Sequence, residues 1–326
     1  MFAARIPEPG KIELIDVPEP DLDGPAPKDG EPGDIIFEPE LTCLCGSDTP
    51  FFRGEVEGYP LEPGMSLHEM IGTVVDTNGK RFKPGDRVLA VPLKQQGFFE
   101  RYRVSEERAI PLDPRCSPEQ ALLAQPLGTV IYGMKKLPTV LDQNVAVVGQ
   151  GPIGQLFCAV LRNLGANEII ALDRVDERLE VSPAMGATTV INVDRQDAVA
   201  EVARVTDGVM ADAVVEAVGH EELQLNFCAD LAGHMADVLL FGVPSFGLVD
   251  STEMFKMFLK NLKIHTTVNP DFERDFPLAM RWIAEKRLDV MPIVTHSFPV
   301  TKVQEAFELF RDRREGALKV FLTFRN

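Results

Sequence analysis

The chain has 326 residues, 45% of them hydrophobic, and a formal net charge of -17. That length supplies one large or two ordinary hydrophobic cores, and so acidic a chain excludes nucleic acid or an anionic membrane as a partner reached through its overall field. No run approaches the roughly 18 apolar residues of a spanning helix, the N-terminus reads as neither signal nor anchor, and five scattered cysteines make no disulfide framework, so a cytoplasmic protein is expected.

The first third alternates short β-prone runs with turn signals. "KIELIDV", "DIIFEPELTCL", "MIGTVVDT", "DRVLAVP" and "RYRVS" are separated by "GPAPKDGEPGD" and "NGKRFKPGD". This predicts an irregular, mostly antiparallel β domain over residues 1–126. At "SPEQALLAQPLGTVIYGMKKL" the apolar spacing becomes helical, after Ser117 as N-cap and Pro118 at the first helical position. From there to residue 268 six short buried strands are expected: "NVAVVG", "EIIALD", "TTVINV", "ADAVVEAV", "DVLLFGV" and "KIHTTVN". Apolar runs of that length, alternating with helices, predict a six-stranded parallel sheet covered on both faces, the doubly wound Rossmann arrangement of an α/β protein. Residues 269–326 add two helices, "FPLAMRWIAEKR" and "KVQEAFELFRDR", and a closing strand, "LKVFLTF", expected to return to the first domain.

"VAVVGQGPIGQLF" places Gly149, Gly151 and Gly154 as G-x-G-x-x-G, with Pro152 and Ile153 opening the helix. A strand precedes the motif, a helix follows, and the next strand ends in Asp173, 19 residues after Gly154. In that context Gly149 permits the tight turn, Gly151 the approach of a pyrophosphate, and Gly154 close helix packing. The helix N-terminus offers free N–H groups to the phosphates. Asp173 accepts hydrogen bonds from an adenosine ribose and would repel a 2′-phosphate, so NAD is expected rather than NADP. Arg174 is the opposing signal, because it could receive such a phosphate if Asp173 turned away.

Cys45 lies in "LTCLCGSDTPFFRG", and His68 and Glu69 adjoin in "PLEPGMSLHEMIGTVV", 23 residues later. Gln125 stands in "AQPLG", at the change of texture. Cysteine, histidine and carboxylate are zinc ligands, and a catalytic zinc takes three protein groups with one position open. Cys45 could also be a core thiol or a nucleophile, although no acyl-transfer signature accompanies it. Cys43 reads as a buried strand residue and Cys116, Cys158 and Cys228 as core or surface thiols. His220, His234, His265 and His296 read as structural, and Phe51 and Phe52 as packing their loop or lining a substrate pocket.

"CGSD", then "HE" before "GTVV…GKRFKPGDRV", then the glycine fingerprint, resembles the zinc-dependent medium-chain alcohol and polyol dehydrogenase family, of the medium-chain dehydrogenase/reductase superfamily. "PIVTHSFPV…EAFELF…ALKVFLTF" resembles the end of that family, so the likeness spans essentially the whole chain. It implies a GroES-like catalytic domain beside the Rossmann domain, with the active site in the cleft between them. It implies that Cys45, His68 and Glu69 bind zinc, Glu69 directly or through an exchanging water, with Gln125 close to the metal. It further implies that Asp48 fixes the His68 ring and that Ser47 receives the proton of the alcohol. Backbone at Gly242 and Val243 would face the nicotinamide, Asn269 would reach the nicotinamide-side ribose or phosphates, and Arg178 would flank the adenine. The implied reaction moves a hydride between NAD and a small secondary alcohol, polyol or sugar, in a homodimer or homotetramer paired through the edge strand of the cofactor domain.

Four departures from the family pattern stand out. Leu67 replaces the glycine of "GHE", and Pro50 replaces a relay histidine. "VLAVPLKQQGFFERYRV" contains no cysteine, so one catalytic zinc and no structural zinc is expected, and Pro183 interrupts a helix. Two rival functions follow: a zinc-free quinone or enone reductase of the same superfamily, and a catalytically silent NAD-binding sensor or scaffold.

Overall fold

The structure, a computed structural model, describes residues 1–23, 27–28, 30–219, 224–244 and 252–324. The expected site residues all fall within these ranges; His220 lies outside the described residues. The chain forms two compact units, one of Met1–Gln125, Phe272–Ala284 and Val294–Asn326, the other of Pro126–Asp271 and Glu285–Ile293.

In the first unit β1 (Phe2–Glu8) and β2 (Lys11–Asp16) pair antiparallel. The larger sheet uses β3 (Asp34–Cys43), β4 (Met70–Thr77), β5 (Arg87–Ala90), β6 (Tyr102–Ser105) and β7 (Ala109–Pro111), all joined antiparallel. Ile35, Phe37, Val74, Val88 and Val104 are buried in one core, as β-branched and aromatic residues on the inner face of a sheet should be.

The second unit holds β8 (Val145–Val148), β9 (Ile169–Asp173), β10 (Thr189–Asn192), β11 (Ala211–Glu216), β12 (Ala232–Leu240) and β13 (Lys263–Thr266). They are parallel in the order β10-β9-β8-β11-β12-β13. The strand order reverses between β8 and β11, the point at which doubly wound sheets bind dinucleotides beyond their C-terminal ends. All four β8 residues are buried, because helices cover both faces of such a sheet.

Two strands complete the first unit. β14 (Val294–Pro299) runs parallel to β15 (Lys319–Thr323), and β15 lies antiparallel to β3, with Phe321 opposite Cys43. The closing strand therefore does return to the first sheet.

The helix expected from Ser117 onward is broken. Ser117 caps it in a reciprocal arrangement with Gln120, but the helix Pro118–Leu122 stops and a second, Ala124–Met134, begins. Pro126 has no N–H for the Leu122 carbonyl and its ring crowds that turn. Likewise the helix Asp176–Val181 ends at Ser182, directly before Pro183. Among the described residues no helix is long and apolar enough to cross a membrane.

Candidate active site

The metal-ligand candidates sit on two loops held by one carboxylate. β3 ends at Cys43, and the chain turns through residues 46–48 into the short helix Thr49–Arg53. Asp48, 1% exposed, accepts the Cys45 N–H at 2.8 Å on Oδ2 and the Leu67 N–H at 3.2 Å on Oδ1. It thereby fixes the residues that carry Cys45 and His68. Its Oδ1 lies 3.8 Å from His68 Nδ1, within ion-pair range but too long for a hydrogen bond. Leu67 adopts φ 109°, a backbone region where glycine is at home, so the glycine-to-leucine departure is accommodated in a strained conformation with the side chain fully buried.

One ligand atom each from Cys45, His68 and Glu69 lies within 4.8 Å of the others. His68 Nδ1 and Ser47 Oγ are buried and have no hydrogen-bond partner among the described residues. A thiol, an imidazole and a carboxylate converging beside orphaned polar atoms form a donor set that suits zinc. Burial lowers the His68 imidazole pKa, but Asp48 and Cys45 beside it outweigh that and hold it well above its ordinary value.

Glu69 has partners that the linear sequence hides. Its carboxylate Oε2 accepts from Lys319 Nζ at 2.5 Å and from the Cys43 thiol at 2.8 Å. Glu69 and Lys319 are each 1% exposed, and Lys319 also donates to the Leu44 carbonyl at 3.3 Å. Burial would raise the Glu69 carboxyl, but Lys319 foremost, then His68 and Cys43, hold it below its ordinary value. Burial depresses the Lys319 ammonium, yet the anionic groups around it leave it raised. Burial and the Glu69 charge push the Cys43 thiol well up, which keeps it a donor. Cys43 is thus the buried strand residue expected, with a polar task added. Lys319 was missed; its signal was a lysine inside an otherwise apolar strand, since unpaired lysine is almost never fully buried.

Gln125 is 5% exposed in the first turn of Ala124–Met134. Phe52 is buried against Phe307, with ring centres 5.3 Å apart, and packs its loop. His265 pairs with Asp237 at 2.6 Å, His296 bonds Thr295 Oγ1 at 2.9 Å, and His234 is exposed.

The glycine motif turns as expected. Gly149 has φ 93°, and a Cβ on Gly154 would fall 1.8 Å from the Gly149 carbonyl oxygen. Gly151 caps the helix Pro152–Leu164 without a side-chain bond, leaving that helix start open. Pro152 and Ile153 form its first turn. Asp173 ends β9 and braces the motif: Oδ2 accepts the Gln150 N–H at 2.6 Å, and Oδ1 accepts those of Arg174 at 2.7 Å and Val175 at 3.0 Å. Arg178 Nη1 lies 3.9 Å from Asp173 Oδ2, whereas the exposed Arg174 side chain pairs with Asp194 at 3.3 Å. A buried network under the loop was also missed: Gln155 Nε2 donates to the Arg178 carbonyl at 2.8 Å and to Ser182 Oγ at 3.1 Å. Gly242 and Val243 follow β12, Val243 57% exposed, and Asn269 is exposed at φ 57°.

Comparison with known proteins agrees with both units. The family described as "Alcohol dehydrogenase GroES-like domain" matches residues 31–112, and "Zinc-binding dehydrogenase" matches residues 152–285. The chain is 28% identical to an alcohol dehydrogenase of Cupriavidus necator, covering 98% of each chain. It is 26% identical to the sorbitol dehydrogenase of Homo sapiens, covering 88% of each. The solved alcohol dehydrogenase TADH from Thermus sp. ATN1 superposes with a TM-score of 0.88 at 27% identity over 100% of both chains. With its antiparallel GroES-like unit, its six-stranded parallel unit and a cysteine, histidine and glutamate drawn together, the chain belongs to the zinc-dependent alcohol and polyol dehydrogenases of the medium-chain dehydrogenase/reductase superfamily, enzymes that transfer hydride between an alcohol and NAD.

Proposed function

We propose that the protein oxidises a small secondary alcohol, polyol or sugar with NAD, using a single zinc held by Cys45, His68 and Glu69, with Gln125 nearby and no structural zinc. The observation that carries this reading is the convergence of the three ligand atoms within 4.8 Å beside the orphaned His68 Nδ1 and Ser47 Oγ. The metal, when bound, supplies Lewis acidity that lowers the pKa of the substrate hydroxyl.

The residues of the chain do the rest. Ser47 Oγ, free of other hydrogen bonds, accepts the hydroxyl proton and passes it on. Pro50 cannot relay it, so it leaves through Thr49, through Glu69 and water, or directly to solvent. Asp48 orients the Cys45 and His68 loops through its two backbone bonds. Lys319 compensates the charge that the Cys45 thiolate and Glu69 carboxylate bring to a buried site. Gly149, Gly151, Pro152, Ile153 and Gly154 receive the pyrophosphate at the helix start, Asp173 the adenosine ribose, and Arg178 the adenine side. Arg174, turned to Asp194, leaves a 2′-phosphate to meet Asp173, which supports NAD over NADP. Gly242, Val243 and Asn269 serve the nicotinamide side.

The assembly proposed is a homodimer or homotetramer. β13 is the outermost strand of its sheet, and Phe255, Phe258 and Val268 near it are 73%, 75% and 70% exposed. A second copy would cover both the open strand edge and this apolar surface. The cytoplasm is the compartment that suits five free cysteines.

The test is zinc per chain by elemental mass spectrometry, beside Cys45→Ala. About one zinc per wild-type chain, lost in the variant, is expected. No zinc after reconstitution overturns the reading.

A further inference from the structure

Glu216 is the last residue of β11, and it is fully buried at the C-terminal end of the central strands. Its carboxylate gathers backbone N–H groups from two separate loops. Oε1 accepts from Val218 and from Gly219, each at 3.0 Å, and Oε2 accepts from Gly242 at 3.2 Å. Its main-chain carbonyl accepts from Phe241 at 3.0 Å and Gly242 at 3.1 Å. The two loops pack with no spare room: a Cβ on Gly242 would meet Gly219 N at 2.4 Å and Glu216 Oε2 at 2.5 Å. On its other side the same loop reaches the phosphate turn, where a Cβ on Gly149 would lie 3.0 Å from the Ala217 carbonyl oxygen. One side chain therefore sets the spacing of the segments that follow β11 and β12, while the phosphate turn meets the first of them through Ala217 and Val218 and not through Glu216.

Only a carboxylate satisfies this arrangement. It offers acceptors alone, about four lone-pair sites on two oxygens. A glutamine in its place has one acceptor oxygen and one NH2 group. Whichever way it turns, a donor faces a backbone donor, either at Gly242 or at Val218 and Gly219. Turned toward Val218 and Gly219, the NH2 leaves their N–H groups without this acceptor; turned toward Gly242, it opposes an N–H that keeps only the main-chain carbonyl of residue 216, and either repulsion shifts the loops.

We infer that Glu216 is a positioning residue for the nicotinamide half of the cofactor. It acts through the backbone of Gly242 and Val243, which it holds at the ledge where the nicotinamide rests. The inference rests on the NAD-linked reading above. The adenine half depends on Asp173 and the Pro152–Leu164 helix start, which have their own bracing. Loss of Glu216 should therefore be felt at one end of the cofactor and not at the other.

The experiment is titration of the zinc-loaded full chain with NADH and with ADP-ribose, which lacks the nicotinamide, in wild type, Glu216→Gln and Gly242→Ala. In E216Q the NADH affinity is expected to fall about tenfold (about 1.4 kcal/mol, the scale of a hydrogen bond to a charged group) while ADP-ribose stays within about twofold. The steady-state readout is a fall in kcat larger than the change in KM for the alcohol. G242A, which forces the same two loops apart, should show the same selective loss and carries the test if E216Q does not fold. Equal weakening of NADH and ADP-ribose, or no change in either, overturns the inference. A wild-type chain that binds ADP-ribose and NADH not at all sinks the NAD-linked reading, and the inference with it.

Discussion

Lys319→Met isolates the least expected contact of the site. The substitution keeps most of the side-chain volume but removes the ammonium 2.5 Å from Glu69. Both partners are 1% exposed, so water cannot replace the lost charge. Removing one member of a buried pair costs about 3–5 kcal/mol. At about 2–4 °C per kcal/mol for a unit of this size, the metal-free protein should melt about 6–20 °C lower. Zinc should raise the melting temperature of K319M more than that of wild type, because a bound cation replaces the missing ammonium beside Glu69. Glu69→Gln combined with K319M should recover much of the loss, since neither charge then remains unpaired. The pH dependence follows from the directions of the shifts. The lowered Glu69 pKa contributes stability that is present above its ordinary value of 4.5 and lost as pH falls through the folded value. The raised Lys319 pKa contributes stability that is present below 10.5 and lost as pH rises through the folded value. The difference between wild type and K319M should therefore be flat across neutral pH and shrink in acid. Scanning calorimetry of metal-free protein decides the matter. A K319M melting point within about 1 °C of wild type would show that the pair contributes nothing to stability.

Three further outcomes are expected. Gly154→Ala puts a methyl group 1.8 Å from a backbone oxygen, an overlap that no rotamer relieves; it should cost about 1–3 kcal/mol of stability and abolish NADH binding while zinc content is kept. NADH affinity within twofold of wild type, by fluorescence titration, would contradict that account. Ser47→Ala should lower kcat by about 10²–10⁴ with zinc content and NADH affinity unchanged, and a kcat within threefold would remove Ser47 from the proton path. Phe258→Asp, at a position 75% exposed, should shift the assembly toward monomer in sedimentation by weakening association about 2–4 kcal/mol. An undisturbed dimer would locate the interface elsewhere.

Local sequence was enough wherever the deciding interaction is local. The parallel sheet was legible because its strands are short apolar runs between turn residues, and β8, β9 and β10 lie where those runs predict. The phosphate turn was legible because Gly149 needs a positive φ and Gly154 needs the absence of a Cβ, requirements that only glycine meets. Cys45, His68 and Glu69 were legible as ligand types, and their convergence needed the fold. Pro126 is visible in the sequence, yet the apolar spacing continues through it, so spacing alone predicts one helix where the fold has two. β12 also begins at Ala232, earlier than its apolar run suggests, since Ala232 pairs with Ala211 of β11 and draws in residues that carry no strand pattern of their own. The contacts of Lys319 and Glu216 were beyond local reading. Lys319 is 250 residues from Glu69 along the chain and meets it because β15 lies against β3. Glu216 reaches Gly242, 26 residues on, because β11 and β12 are neighbours in one sheet. Composition and periodicity determine which residues form strands and helices, but strand order and register decide which buried charge faces which partner, and that pairing is a property of the assembled sheet.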